Sequence, residues 1–228
     1  MSDLVLAIAT HRWKDWLKCV ESWYDTAGFD DPPHHYVVAD EDVLVAYQEA
    51  LEKTTEPIIG HIHDDVNIFE RGWDERVLRE FVDDSIGMVC FGGGRAFGSP
   101  DLYRVPYVLQ NLGRSQFMSN LRNAEAHGTR FTGECDIACA DGFAIFVRRK
   151  ILDKWGGWPI GTPVSYFCYD MVLSAEVRRQ GYRSRLVGVD CEHLSGKTAS
   201  MLQLKDDHAA AHLWLYENYR DVLPFAVE

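Results

Sequence analysis

His63, Asp64 and Asp65 put one imidazole and two carboxylates in consecutive positions. Adjacent carboxylates repel, so their pKa values rise unless a cation neutralises them. The triplet ends an apolar run from Pro57 in which the β-branched Ile58, Ile59 and Ile62 suit a strand in the middle of a sheet. In an open α/β sheet, ligands bind outside the carboxyl ends of such strands. Carboxylate oxygens placed there suit a divalent cation. The competing reading is a solvated acidic turn that merely ends a strand. A second acidic group, Asp40-Glu41-Asp42, closes an earlier strand-like segment. Cys135 and Cys139, four apart, could form half of a zinc site, but no second Cys/His pair follows at finger-like spacing. All six cysteines read better as reduced, buried thiols.

The elements that must position these groups alternate in type. Leu4–Thr10 reads as a first strand, and an apolar stripe from Trp13 to Tyr24 as a helix whose tryptophans face a core. His34–Ala39 is a second strand, Val43–Lys53 a helix, and the run into His63-Asp64-Asp65 a third strand. Phe69–Val82 has a helical pattern and Ile86–Phe91 that of a fourth strand. Gly92–Gly94 lacks the spacing of a phosphate-binding loop and reads as a flexible exit from the sheet. Residues 92–140 have little periodicity and suit loops and short elements covering a site. Regular structure returns with a strand at Gly142–Val147 and a helix at Arg149–Trp155 stopped by Gly156-Gly157. A helix at Asp170–Gln180 ends at Gly181, a final strand at Ser184–Val189 leads to His193, and a terminal helix spans Leu204–Tyr219. The order predicts an α/β fold, a mostly parallel sheet flanked by helices. With no repeat, linker or low-complexity tract, residues 1–228 are expected to form a single domain.

Composition narrows the function classes. The net charge of −12 argues against broad adhesion to nucleic acid or anionic membrane. Charge is uneven, however: Arg95, Arg104, Arg114, Arg122 and Arg130 fall in the segment from Phe91 to Glu134. That segment can face an anionic partner or be a solvated loop. No stretch of roughly 18 apolar residues is present, so no membrane span is expected. The N-terminus reads as a strand rather than a secretory signal, and a cytoplasmic location is the expectation.

Four segments together resemble the GT-A glycosyltransferases of the family-two type, which use nucleotide-sugar donors. They are IATHRWKDWLKCVESW, IIGHIHDDVNI, ADGFAIFVRRKILDKWGGW and FCYDMVLSAEVRRQGYRSRLVGVDCEHLSG. The resemblance spans about residues 3 to 90 and 139 to 197. It implies a GT-A (Rossmann-like) fold, with a nucleotide-sugar and metal half in 1–91 and an acceptor half in 92–228. It also implies a divalent cation, Mn²⁺ or Mg²⁺, held by Asp65 and by His193. Thr10, His11, Arg12, Asp40, His63 and Asp64 map to the donor side, with Asp42 as plausible as Asp40 by spacing. His63 stands where the family usually has Asp. Asp170 maps to the general base, against the plain alternative of a helix N-cap, and Asp141 to the sugar and acceptor side. The activity implied is transfer of a hexosyl or pentosyl group to an acceptor hydroxyl, with inversion. A glycan, a small metabolite or a modified nucleic acid base fits as acceptor. A non-catalytic nucleotide- or sugar-binding protein and a nucleotidyltransferase are the rival readings. The latter normally carries a Gly-rich signature near the first strand, which ATHRW lacks.

Overall fold

Alternation along the third strand sets the architecture. Side chains on a strand point to opposite faces in turn. In LVLAIA at the N-terminus, Val5 and Ala7 join one apolar cluster while Leu4, Leu6 and Ile8 join another. In IIGHIH, Ile59 goes with the first cluster, and Ile58 and Ile62 with the second. Both faces of these strands are therefore buried, as helices on both sides of a sheet require.

The computed structural model describes residues 3–10, 16–38, 42–97, 117–122, 128–164, 167–194 and 205–227. In chain order the elements are β1 (Leu4–Ala9), α1 (Trp16–Asp25), β2 (His34–Val38), α2 (Val43–Lys53), β3 (Ile58–His63), β4 (Val66–Ile68) and α3 (Trp73–Glu80). There follow β5 (Ile86–Cys90), β6 (Gly92–Gly94), β7 (Ala96–Phe97), β8 (Phe117–Ser119), β9 (Thr129–Arg130), β10 (Glu134–Ile137) and β11 (Cys139–Ala140). Last come β12 (Ala144–Arg148), α4 (Arg149–Trp155), α5 (Tyr169–Arg179), β13 (Arg183–Val187), β14 (Cys191–His193), α6 (Lys205–Tyr219) and β15 (Phe225–Ala226).

The main sheet runs β10-β13-β5-β12-β3-β1-β2. β1 is parallel to β2 and β3, and β13 to β5, while β12 is antiparallel to both β3 and β5 and β10 is antiparallel to β13. Five of the seven strands thus share one direction, as expected of a mostly parallel sheet. α1 and α3 cover one face through Trp23, Trp73 and Val77, which pack on Phe91 and Phe146. α2, α4, α5 and α6 cover the other through Leu44, Tyr47, Ile151, Val172 and Ala211. The Trp23 indole donates to the Val66 carbonyl and that of Trp73 to the Trp23 carbonyl, so both rings bury their area without an unpaired N–H.

Three sequence expectations change. Gly92–Gly94 is no flexible exit: it is β6, fully buried in a second sheet of order β11-β6-β8-β9. A Cβ on Gly93 would sit 2.5 Å from the Cys139 carbonyl oxygen, and one on Gly92 2.6 Å from the Phe143 ring. The glycines let strands and an aromatic ring approach closely. Phe69–Val82 is helical only over Trp73–Glu80, because Val66–Ile68 pairs as a strand with Cys191–His193 and Gly72, at φ 79°, starts the helix in the left-handed region. Ser184–Val189 is not the final strand, since β14 and β15 follow the shorter β13. Residues 11–15 and 39–41, and most of the arginine-bearing segment (98–116 and 123–127), lie outside the described residues.

Candidate active site

Chain topology brings four segments to the carboxyl end of β3. β1 pairs in register with β3 so that Ala9 lies opposite His63, which puts Thr10 beside the turn at Asp64-Asp65. The Thr10 hydroxyl donates to Asp64 Oδ2 at 2.7 Å, with both residues buried. Antiparallel β12 starts where β3 ends, and the His63 amide donates to the Phe143 carbonyl at 3.0 Å. This places Asp141 and Gly142 directly against His63. β14 pairs with β4 so that His193 faces Val66, and the Leu194 amide donates to the Asp65 carbonyl. The N-terminal turn of α5 supplies Tyr169 and Asp170.

His63 and His61 share a face of β3 by the two-residue period, yet their surroundings differ. His61 is fully buried between Tyr47 and Trp158. His63, the last residue of β3, is half-buried at the strand's carboxyl end. Its Nδ1 lies 3.2 Å from His193 Nε2, which lies 3.2 Å from Asp65 Oδ1. The donor atoms of these three residues all fall within 4.8 Å of one another. The Phe143 ring stacks on His193 at a centroid distance of 5.5 Å and sets its plane. Burial and the neighbouring His193 push the His63 pKa down to about 4, against the pull of Asp65, Asp141 and Asp64. His63 is therefore neutral at pH 7, the form that binds a cation.

The donor set fits a divalent metal. Bonds of about 2.0 to 2.2 Å put adjacent ligand atoms roughly 2.8 to 3.6 Å apart in octahedral or tetrahedral geometry. The two 3.2 Å separations match that spacing. Two imidazoles and one carboxylate on one side of an ion also leave coordination positions open for a substrate. Asp65 is 3% exposed, with its Oδ1 aimed at His193 rather than into the apolar core.

Asp170 and Asp141 flank Gly142. Asp170 Oδ2 accepts from the Gly142 amide at 3.0 Å and Oδ1 from the Met171 amide at 2.8 Å, while Asp141 Oδ1 accepts from the Phe143 amide at 3.3 Å. Burial first, and then the charge of Asp141, push the Asp170 carboxyl up to about 7, although its two backbone hydrogen bonds pull it down. A carboxyl poised near neutrality is what a general base needs. Asp170 is not an N-cap: that position belongs to Cys168, a non-glycine residue at φ 64°, and Asp170 lies in the first helical turn. Left-handed backbone at such a residue is strained and tends to mark functional positions.

The structure thus joins Thr10 to Asp64; His63 to Asp65 and His193; and Asp141 to Asp170 through Gly142. His11, Arg12 and Asp40 lie outside the described residues. Asp42 caps α2, its Oδ1 accepting from the Leu44 and Val45 amides. Tyr169 was not legible as a site residue, yet its hydroxyl lies 2.5 Å from His63 Nε2. Its position just before Asp170 on one helix was the only sequence signal for it.

No protein-family model matches the sequence, and no curated protein matches it in sequence. Solved structures do match in fold. One is the mannosyltransferase PcManGT of Pyrobaculum calidifontis in complex with GDP-Man and Mn²⁺. It is 15% identical over 97% of this chain and 74% of its own, with a TM-score of 0.54. Another is GalNAc-T7 with UDP, GalNAc and Mn²⁺, at 10% identity and a TM-score of 0.60, covering 96% of this chain and 50% of that one. The chain therefore spans about half the length of the second. These likenesses show that the fold is the GT-A type, mixed α/β with a mostly parallel central sheet.

Proposed function

We propose that this chain is a metal-dependent glycosyltransferase that moves a sugar from a nucleotide-sugar donor to an acceptor hydroxyl with inversion. The observation that carries the reading is the pairing of two groups on one GT-A cleft. His63, Asp65 and His193 converge at 3.2 Å spacings, and a carboxyl poised near pH 7, that of Asp170, accepts from the Gly142 amide just ahead of the strand that abuts them. Both structural neighbours named above hold Mn²⁺ and a nucleotide or nucleotide-sugar.

A bound divalent cation supplies Lewis-acid stabilisation of the charge that develops on a departing nucleoside diphosphate. His63, Asp65 and His193 would hold it, with Mn²⁺ favoured over Mg²⁺ by the two imidazoles. Thr10 fixes Asp64 by its hydrogen bond, and Thr10, Asp64, His11, Arg12 and Asp40 form the donor side. Each Asp170 oxygen accepts one backbone N–H and keeps a second lone pair. Asp170 takes the proton of the acceptor hydroxyl as that oxygen attacks the anomeric carbon. Asp141 keeps the pKa of Asp170 high and orients the sugar or acceptor. The segment from Phe91 to Arg130 supplies much of the acceptor side, for a glycan, a metabolite or a modified base, and residues 1–228 act as one transferase domain.

Thermal stabilisation by nucleotide-sugars with and without Mn²⁺ tests this reading. A ligand at 100 times its Kd adds about 2.7 kcal/mol, or roughly 5–10 °C in Tm for a chain of this size. Stabilisation that requires both Mn²⁺ and a nucleotide-sugar, followed by release of nucleoside diphosphate, is the expected result. Stabilisation without release would make the chain a binding protein. No metal-dependent stabilisation by any nucleotide-sugar would refute the proposal.

A further inference from the structure

Beside the Tyr47 hydroxyl, which can give or take a hydrogen bond, the hydroxyl of Tyr169 meets two groups with different demands. It is 2.5 Å from His63 Nε2 and 3.1 Å from the Gly142 carbonyl oxygen. A carbonyl oxygen only accepts, so the single proton of the tyrosine must go to Gly142 for that contact to be a hydrogen bond. The hydroxyl oxygen is then left to accept, and His63 Nε2 must carry a proton to donate to it. The reverse arrangement would press two buried acceptors together at 3.1 Å, an uncompensated desolvation. A phenol, with an ordinary pKa of about 10, keeps its proton at neutral pH. Gly142 makes this possible: a Cβ there would lie 2.3 Å from the Tyr169 hydroxyl. The ring itself is held by Tyr47 and Trp158.

We propose that Tyr169 is a positioning residue whose hydroxyl holds His63 in the Nε2–H tautomer, so that Nδ1 offers its lone pair to the point shared with Asp65 and His193. The site is thereby a two-imidazole, one-carboxylate face that prefers Mn²⁺ and other first-row transition cations to Mg²⁺. This rests on the metal reading proposed above. Outer partners that orient a ligating histidine typically hold 10- to 100-fold of metal affinity. Imidazole ligands favour transition metals, whereas Mg²⁺ favours oxygen.

Histidine tautomers are read directly from long-range ¹H–¹⁵N correlation spectra of the wild-type protein with chelator present. His63 should show the Nε2–H pattern, and the Nδ1–H pattern would overturn the inference without any variant. Mn²⁺ alone is then titrated against wild type, Tyr169→Phe, Gly142→Ala and Asp65→Asn, with free Mn²⁺ followed by electron paramagnetic resonance and folding by circular dichroism. Tyr169→Phe and Gly142→Ala should each bind Mn²⁺ 10- to 100-fold more weakly, and the Mn²⁺ over Mg²⁺ preference should shrink. Wild-type affinity in Tyr169→Phe, with Asp65→Asn impaired, would overturn this inference and leave the metal reading standing. No binding by wild type, or equal binding by Asp65→Asn, would remove both.

Discussion

Replacing Asp170 by Asn should stabilise the protein at alkaline pH while greatly slowing its chemistry. The Asp170 carboxyl rises from an ordinary 3.8 to about 7, chiefly through burial. The folded state therefore binds a proton that the unfolded state has released between pH 3.8 and 7. A raised carboxyl pKa contributes fully to stability only below 3.8, and that contribution drains away as pH climbs to 7. At about 1.4 kcal/mol per pH unit, holding the ionised group in place costs about 4 kcal/mol at pH 8. Asn carries no charge and escapes this cost. It offers only one acceptor, however, where both carboxylate oxygens take a backbone N–H, from Gly142 and Met171. One buried amide then loses its partner, at about 1–3 kcal/mol. The net is a gain of about 1–3 kcal/mol at pH 8. Near pH 5 the charge-burial part falls to roughly 1.7 kcal/mol, so the gain disappears. Urea unfolding of both proteins in chelator at pH 5 and pH 8 measures the difference, and the histidine titrations they share cancel. The variant's relative stability should improve by roughly 2–3 kcal/mol between the two pH values. Transfer should fall about 10²- to 10⁴-fold with nucleotide-sugar binding retained. Wild-type turnover should rise with pH to a midpoint at or below about 7, since a bound cation lowers the carboxyl pKa. A pH-independent stability difference would refute the burial argument. Near-normal turnover in Asp170→Asn would refute the base and leave Asp141 as the carboxylate to test.

The buried His61 has no partner for either ring nitrogen among the described residues, and burial pushes its pKa down to about 3. The unfolded chain takes its proton below 6.5, so this residue alone should remove about 2 kcal/mol of stability between pH 7 and pH 5. Urea titrations of His61→Leu should show a loss smaller by that amount, and an equal loss would show that His61 is not protonated on unfolding. Gly93→Ala drives a Cβ to 2.5 Å from the Cys139 carbonyl oxygen. Backbone must move, so thermal scans should find a destabilisation of about 1–3 kcal/mol or more, and an unchanged Tm would mean that β6 and β11 separate freely.

What the sequence determined by itself follows from short-range rules. The two-residue alternation and the β-branched runs located β1, β3 and β5 to within a residue. Helical stripes and stop signals did the same for α2 and α4. Two carboxylates after an apolar strand pointed to the candidate site, because an open α/β sheet offers ligand positions at the carboxyl ends of its strands. Beyond the Asp65 and His193 pair that the family resemblance implied, tertiary structure decided which groups meet. Nothing local in Gly92-Gly93-Gly94 distinguishes a flexible exit from a strand, and only the approach of Cys139 and Phe143 requires glycine there. The resemblance makes Asp170 a general base and its place at a helix start equally suits a cap; only the fold puts the cap at Cys168 and aims both Asp170 oxygens at backbone amides. His63, Tyr169 and His193 are separated by 106 and 130 residues along the chain. Their contact depends on antiparallel β12, on β14 pairing with β4 and on the placement of α5. Such pairings are fixed by the burial of whole faces rather than by the residues that then touch, so no reading of the neighbours of His63 in the chain could reveal them.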